Sequence, residues 1–92
     1  MIAKRVVVRG RVQGVGFRYA AVGAARDAAV TGWVRNRRDA TVEAHAQGDA
    51  STVDAFVAWC RRGPPAARVT GVDVADVPAE PGLAGFELRA TV

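Results

Sequence analysis

The apolar period changes from that of a strand to that of a helix within the segment KRVVVRGRVQGVGFRYAAVGAARDA, residues 4–28. Over Lys4–Val12, valines face one way and arginines face the other, which is typical of a half-buried strand. The glycines of Gln13–Gly16 break this alternation, and alanines then recur at helical spacing from Phe17 to Ala28. The valines are Val6, Val8 and Val12, and the arginines are Arg5, Arg9 and Arg11. The segment therefore predicts a strand and a helix joined by a tight glycine-rich loop.

The remainder of the chain predicts a second helix and further strands. The helix is expected to begin at a capping box, Ser51–Asp54, and to end at Gly63-Pro64-Pro65. Its apolar positions follow the i, i+3, i+4, i+7 spacing of an amphipathic helix, and they are Val53, Phe56, Val57 and Cys60. Strands are predicted at Thr31–Arg37, Thr41–Gln47, Val69–Val77 and Phe86–Val92, with a turn at residues 38–40 and a bulge at Gly71.

The order of these elements predicts the fold. A β-α-β-β-α-β order with a short fifth strand indicates a ferredoxin-like, split β-α-β sandwich of the α/β (α+β) class. Two helices can cover only one face of the mostly antiparallel sheet. At 92 residues the chain can bury one core, so we expect one domain over residues 4–92. Many unrelated activities use this fold, and the fold alone therefore says little about function.

The charged residues are distributed unevenly along the chain. Residues 1–38 hold nine Lys or Arg and one acid, whereas residues 39–92 hold four Arg and eight acids. Twelve of the thirteen basic residues are arginine, which favours planar, bidentate contact with phosphate or carboxylate. The first part of the chain should therefore attract anions. Charge alone leaves nucleic acid, a membrane surface and a small phosphorylated substrate open.

Composition also argues against membrane-spanning, secreted, disulfide-linked and metal-binding proteins. No charge-free run approaches the roughly 20 apolar residues that a membrane helix needs, and the N-terminus lacks the apolar core of a signal peptide. One cysteine cannot form an internal disulfide, and one histidine adds little to a set of metal ligands. We therefore expect a cytoplasmic protein that uses no membrane, metal or cofactor. We also expect a monomer, because the predicted elements suffice to cover the core.

The glycine-rich loop is the first candidate site. It follows the end of a strand, so Gly14 and Gly16 would let backbone N–H groups turn inward where the helix begins. Such groups form a nest for an anion of phosphate size, and Arg18 in the first helical turn would add a guanidinium. The motif matches neither a Walker A loop nor a dinucleotide fingerprint. The alternative is a plain strand-to-helix turn with an exposed arginine.

Asn36 is the second candidate. It lies at the end of Gly32-Trp33-Val34-Arg35-Asn36, and strand propensity disfavours asparagine. Two interpretations stay open at this point. Asn36 could be the last residue before a turn, or its amide could position a ligand or a water molecule.

The residues of both candidates resemble the two signature motifs of the acylphosphatase family. The first motif is Gly10–Arg18 and the second is Thr31–Asn36. The resemblance extends over about residues 4–92, including the helix-ending Gly63-Pro64-Pro65 and the terminal Phe86–Arg89. It implies a ferredoxin-like hydrolase that converts small acyl phosphates to a carboxylate and phosphate, without a metal or cofactor and with no nucleic-acid partner.

The resemblance also implies roles for individual residues. Arg18 falls on the family's phosphate-binding arginine, and Asn36 falls on its water-positioning asparagine. The backbone that binds the substrate phosphate falls on Gln13, Gly14, Val15, Gly16 and Phe17. Ala29 and Ala40 stand where the family commonly has glycine, and alanine pays an energetic penalty for a positive φ. We therefore expect strain in these two turns and no change at the catalytic positions.

Other functions are compatible with this topology, and the remaining reactive or aromatic side chains have structural explanations. A phosphate-binding module without turnover remains open, as does a carbamoyl-phosphate-handling module like that of larger hydrogenase-maturation proteins. An RNA-binding module shares the topology but would need stacking aromatics that the central strands lack. Cys60 is expected to be a buried core thiol and His45 a solvated residue on the polar face of its strand. Phe17 and Trp33 are expected to be packing residues.

Overall fold

A computed structural model describes all 92 residues of the chain. The elements are β1 (Ile2–Arg11), α1 (Phe17–Ala28), β2 (Thr31–Asn36), β3 (Val42–Gly48), α2 (Ala50–Arg62), β4 (Arg68–Asp76) and β5 (Phe86–Leu88). The strands lie in the order β4-β1-β3-β2-β5. All neighbours are antiparallel except β5, which is parallel to β2. This arrangement confirms the predicted ferredoxin-like α+β fold.

The hydrophobic core lies between one face of the sheet and the two helices. The predicted alternation of β1 is confirmed, because Val6, Val8 and Val12 are buried. The predicted apolar stripe of α2 is confirmed as well, and Cys60 on that stripe is a buried thiol whose pKa is raised by burial to about 12. The α1 side chains in the core are Phe17, Ala21 and Ala25. Neither helix is long and apolar enough to cross a membrane.

The start of α2 differs from the prediction. The helix begins at Ala50, and Asp49 is its N-cap residue without a side-chain capping bond. The hydroxyl of Thr52 donates to the Asp49 carbonyl oxygen at 2.9 Å. Because Ser51 already lies inside the first turn, it cannot act as the N-cap, and the predicted capping box at Ser51–Asp54 is wrong.

The last strand is shorter than predicted. Only Phe86–Leu88 pairs with β2, whereas alternation predicted a strand to Val92. β5 is the edge strand of the sheet, and only Phe86 reaches the core, while Leu88 is exposed. The chain nevertheless stays beside β2, because the N–H of Val92 donates to the carbonyl oxygen of Asn36 at 3.2 Å.

A β-bulge falls next to its predicted position. Arg9 pairs with Gly71 and Gly10 pairs with Val69, so Thr70 is the extra residue of β4. Gly10 has a φ of 123°, and a Cβ at this position would overlap the carbonyl oxygen of Arg68. The close approach of the two backbones therefore requires glycine at residue 10.

Both alanines at the usual glycine positions have left-handed backbones. Ala29 ends α1 with a φ of 60°, and Ala40 in the turn between β2 and β3 has a φ of 74°. The turn geometry is therefore the one that glycine adopts without penalty, and each alanine carries conformational strain.

His45 is buried, so the expectation of a solvated histidine was wrong. Its exposed fraction is 3%, because residues 77–81 fold across this part of the sheet face that the helices leave uncovered. The side chain of Gln47 pairs with the backbone of Glu80, donating to its carbonyl oxygen at 2.9 Å and accepting from its N–H at 2.8 Å. Trp33 is buried as expected and stacks on the His45 ring, with centroids 6.0 Å apart.

Candidate active site

The two candidate motifs lie at the same edge of the sheet, which here means the strand ends from which α1 begins and not the outer strand β5. β1 and β2 are both antiparallel to β3 and therefore parallel to each other. Val42 of β3 lies between Val8 of β1 and Asn36 of β2 in one row of the sheet. The loop that follows β1 and the last residue of β2 therefore share the edge at which α1 begins.

The loop between β1 and α1 presents unpaired backbone donors. Gly14 and Gly16 have φ values of 73° and 79°, and none of the N–H groups of Gln13–Gly16 donates to an acceptor within the chain. The N–H groups of Phe17 and Arg18 follow at the start of α1, where no intrahelical acceptor exists. Unpaired N–H groups at the positive end of a helix dipole form a favourable environment for an anion.

The side chain of Gln13 fastens this loop to the β2–β3 turn. Its Nε2 donates to the carbonyl oxygens of Arg37 and Thr41, at 2.7 Å and 2.9 Å. The same two residues close the turn, because the N–H of Arg37 donates to the Thr41 carbonyl oxygen at 2.9 Å. The loop is thereby held against the residue that follows Asn36.

Asn36 carries an unsatisfied polar atom. Its Oδ1 is the only buried side-chain nitrogen or oxygen of the chain that lacks a hydrogen-bond partner. Leaving such an acceptor unpaired costs about 1–3 kcal/mol, and an exception of this kind in a folded protein calls for an explanation. Asn36 does precede a turn, as one interpretation held, but a turn position alone does not account for a buried, unpaired carbonyl oxygen.

Arg18 is half-buried and makes no ion pair or side-chain hydrogen bond within the chain. No hydrogen bond joins it to Asn36. Three further arginines at this edge also lack ion pairs, and they are Arg11, Arg38 and Arg68. Arg11 and Arg68 are opposite each other in the β1–β4 pair. The edge is therefore positively charged, as the basic first part of the chain predicted.

Two side chains of the loop region fix its position in the core. Phe17 is buried, as predicted, and its ring centroid lies 5.2 Å from that of Trp59. Val15 is half-buried and packs against the core. These contacts hold the start of α1, so the loop between Val12 and Phe17 is anchored at its helical end.

Asp39 is the acid in the turn at this edge. The hydroxyl and the N–H of Thr41 donate to its carboxylate at 2.6 Å and 3.1 Å. The Thr41 hydrogen bonds hold the pKa of Asp39 below its usual value. Asp39 is thus a structural carboxylate of the turn. No three His, Cys, Asp or Glu side chains in the chain lie close enough together to hold a metal ion.

Several of these features have little or no signal in the sequence. The hydrogen bonds of Gln13 join residues 24 and 28 positions apart, and no local pattern predicts such a contact. Arg68 comes from the acidic part of the chain and reaches the site only because β4 pairs with β1. The free Oδ1 of Asn36 was suggested only by the unfavourable strand propensity of asparagine.

Comparison with known proteins identifies the family. The sequence model of the acylphosphatases matches residues 4–88. The chain belongs to the acylphosphatase family. The resemblance seen in the two motifs is therefore confirmed over nearly the whole chain, and with it the enzyme class.

Individual acylphosphatases support the assignment. The acylphosphatase of Acidiphilium cryptum is 54% identical over 93 residues, covering 99% of each chain. The acylphosphatase of Methylococcus capsulatus is 58% identical over 72 residues, covering 78% of each chain. The crystal structure of acylphosphatase from Bacillus subtilis superimposes with a TM-score of 0.92 at 37% identity, covering 97% of this chain and 99% of that one.

Proposed function

We propose that the chain hydrolyses small acyl phosphates to a carboxylate and inorganic phosphate at the edge described above. The unpaired N–H groups of Gln13–Phe17 and the guanidinium of Arg18 bind the phosphoryl group, and Asn36 places the attacking water. The observation that carries this proposal is the meeting of unpaired donors with the unpaired acceptor of Asn36 at one positively charged edge.

The chemistry requires mainly positioning and charge stabilisation. An acyl phosphate is a mixed anhydride with a carboxylate leaving group, so a strong general acid is unnecessary. Phosphoryl transfer then depends on alignment and on donors aimed at the phosphoryl oxygens. Fixed backbone donors and Arg18 would bind those oxygens more strongly as the transition state forms, which lowers the barrier.

Asn36 fits the role of a water-positioning residue. Its buried Oδ1 can accept a hydrogen bond from a water proton and thereby direct the water oxygen towards phosphorus. The water oxygen bonds to phosphorus while the bond to the acyl oxygen breaks, and that electron pair leaves with the carboxylate. Since an amide is no base at neutral pH, one water proton moves to a phosphoryl oxygen, and the product is dihydrogen phosphate.

The proposal also covers metal requirement, domain organisation and location. The residues assigned to the reaction include no metal ligand, so we expect turnover without a metal or cofactor. We propose a single domain over residues 4–92 that acts as a cytoplasmic monomer on a small molecule. A phosphate- or RNA-binding module without catalysis would use the same donors but would have no use for the unpaired Oδ1 of Asn36, so it is not favoured.

Turnover of benzoyl phosphate in excess EDTA tests this proposal. The native chain should hydrolyse it, and Arg18→Ala should lower kcat/KM by about 10³-fold because a fixed donor to the transition state is lost. Arg26→Ala is the matched control, since Arg26 is an exposed α1 arginine without an ion pair at the other end of the helix. A native chain that binds phosphate but does not turn over benzoyl phosphate would contradict the proposal.

Oxygen isotope labelling tests the bond that is broken. In water enriched in ¹⁸O, attack at phosphorus puts the label into inorganic phosphate and leaves benzoate unlabelled. Label in benzoate would show attack at the carbonyl carbon, and the role proposed for Asn36 would then be wrong.

A further inference from the structure

A cavity lies on the sheet face that the helices leave uncovered, away from the loop between β1 and α1. Its volume is about 390 Å³, and it lies between the central strands and the segment of residues 77–81. None of the residues that line it belongs to the proposed active site. The volume falls within the range of small-molecule sites.

Two guanidinium groups form the polar wall of this cavity. The carboxylate of Glu43 is buried and accepts a hydrogen bond from Nε of Arg5 at 2.5 Å and from Nε of Arg35 at 2.7 Å. The Nη groups of both arginines make no hydrogen bond within the chain. One carboxylate thus fixes two arginines and leaves their outer donors available.

Glu43 keeps its negative charge beside the two guanidinium groups. Burial alone would raise the pKa of Glu43, but the hydrogen bonds from Arg35 and Arg5 hold it below its usual value. The three side chains together therefore carry one net positive charge. Arg35 is held further by the indole of Trp33, with its guanidinium carbon 4.5 Å from the ring centroid.

The other acid at the cavity already has partners. The carboxylate of Glu80 accepts hydrogen bonds from Nε1 of Trp33 at 3.1 Å and 3.2 Å, and Nη1 of Arg89 lies 4.0 Å from it. Nδ1 of His45 lies 3.3 Å from the same group. The other residues that residues 77–81 contribute to the cavity lining are apolar, and they are Val77, Pro78, Ala79 and Pro81.

We propose that this cavity binds a small monocarboxylate. The planar carboxylate bridges the Nη groups of Arg5 and Arg35, and the apolar part of the ligand lies against Val77 and Pro78. Arg5, Arg35 and Glu43 carry one net positive charge, and the carboxylate of Glu80 is already engaged by Trp33 and Arg89. That charge matches a single negative charge on a compact apolar body. A phosphate dianion would exceed that charge and would lie close to the carboxylate of Glu43. The site is independent of the proposed hydrolysis.

The indole N–H signals of the two tryptophans test this site by NMR. Trp33 contacts the cavity, whereas Trp59 lies on α2 and serves as an internal reference. Benzoate is added to the native chain in the presence of saturating inorganic phosphate, which keeps the proposed active site filled. The Trp33 signal should shift saturably in the millimolar range, and the Trp59 signal should not move.

Three variants decide the outcome. Arg5→Gln should weaken benzoate binding at least tenfold, and Arg9→Gln should not, because Arg9 pairs with Asp73 outside the cavity. Ala79→Glu removes no contact of this exposed residue but adds a negative charge to the apolar wall, and it should also abolish the shift. The proposal is overturned by a non-saturable Trp33 shift, by an equal shift in Ala79→Glu, or by an equal Trp33 shift on adding inorganic phosphate alone.

Discussion

Gln13 and Arg37 are joined by a hydrogen bond of 2.7 Å from the side-chain Nε2 of the first to the carbonyl oxygen of the second. A second bond from the same nitrogen reaches the carbonyl oxygen of Thr41. These bonds connect the loop that offers unpaired N–H groups to the turn that follows Asn36. The side chain of Gln13 therefore fixes the position of the proposed phosphate site relative to the proposed water site.

Gln13→Ala should reduce catalysis more than stability. Loss of both hydrogen bonds releases the loop from the turn, and a displacement of about 1 Å can lower the rate by about 10²-fold. We expect kcat to fall by about 10–100-fold, measured with benzoyl phosphate. Gln47→Ala is the control, because the Gln47 side chain also fastens a distant segment, donating one hydrogen bond to the Glu80 backbone and accepting one from it, away from the proposed active site. Equal losses of kcat in both variants would contradict the positioning role.

Glu43 should make stability depend on acidic pH. Its folded pKa lies below its ordinary value of 4.5 because of the hydrogen bonds from Arg35 and Arg5, which outweigh the effect of burial. A carboxyl whose pKa is lowered by folding stabilises the protein above its unfolded pKa, and this contribution is lost as the pH falls through the folded pKa. The free energy of unfolding should therefore decrease as the pH falls below about 4.5.

The variant Glu43→Gln tests this linkage by urea unfolding at several pH values. At pH 7 it should be destabilised by about 1–3 kcal/mol, because a buried, charge-assisted pair of hydrogen bonds is lost. The difference from the native chain should shrink below pH 4. Glu87→Gln removes an exposed partner of Arg89 and should change stability by less than about 1 kcal/mol. A difference for Glu43→Gln that does not vary with pH would disprove the linkage.

Ala29→Gly and Ala40→Gly should each stabilise the chain. Both positions have a positive φ, so glycine should remove about 1–2 kcal/mol of backbone strain from the folded chain. Part of this gain is lost, because glycine raises the conformational entropy of the unfolded chain. We expect a net gain of about 0.5–1 kcal/mol in thermal or urea unfolding. Ala58→Gly, in the exposed interior of α2, should instead destabilise by about 1 kcal/mol. Destabilisation in all three variants would show that the two turns are unstrained.

Cys60 should be inert in the folded chain. Burial raises the pKa of its thiol to about 12, so almost no thiolate exists at neutral pH and reagents cannot reach the sulfur. A disulfide reagent should react only at the rate of unfolding, and full enzyme activity should remain until then. Rapid reaction of the native protein, with loss of activity, would indicate a role for the thiol that the structure does not support.

The predictable parts of the fold are those that local sequence patterns determine. Valine alternation in β1 and the apolar stripe of α2 are local periodicities, and both were confirmed. The burial of His45 was not predictable in this way, because it requires Glu80, far along the chain, to fold over the strand. The end of β5 at Leu88 likewise depends on its position at the sheet edge rather than on its alternating sequence.

The same distinction applies to the candidate site. Arg18, Asn36 and the glycine loop are contained in two short motifs, so the sequence could indicate them. The Gln13 hydrogen bonds and the nearness of Arg11 to Arg68 arise from strand pairing and long-range contacts. These features set the geometry and charge of the site, and they became visible only in the folded structure.

A comparison of Asn36→Ala with Arg18→Ala, in kcat and in inhibition by inorganic phosphate, separates the positioning of water from the binding of phosphate. If Asn36 positions water, its loss should lower kcat for benzoyl phosphate by about 10²–10³-fold and leave the inhibition constant of inorganic phosphate within about twofold. Arg18→Ala should weaken both turnover and phosphate inhibition. Near-native kcat in a folded Asn36→Ala variant would contradict a water-positioning role for Asn36.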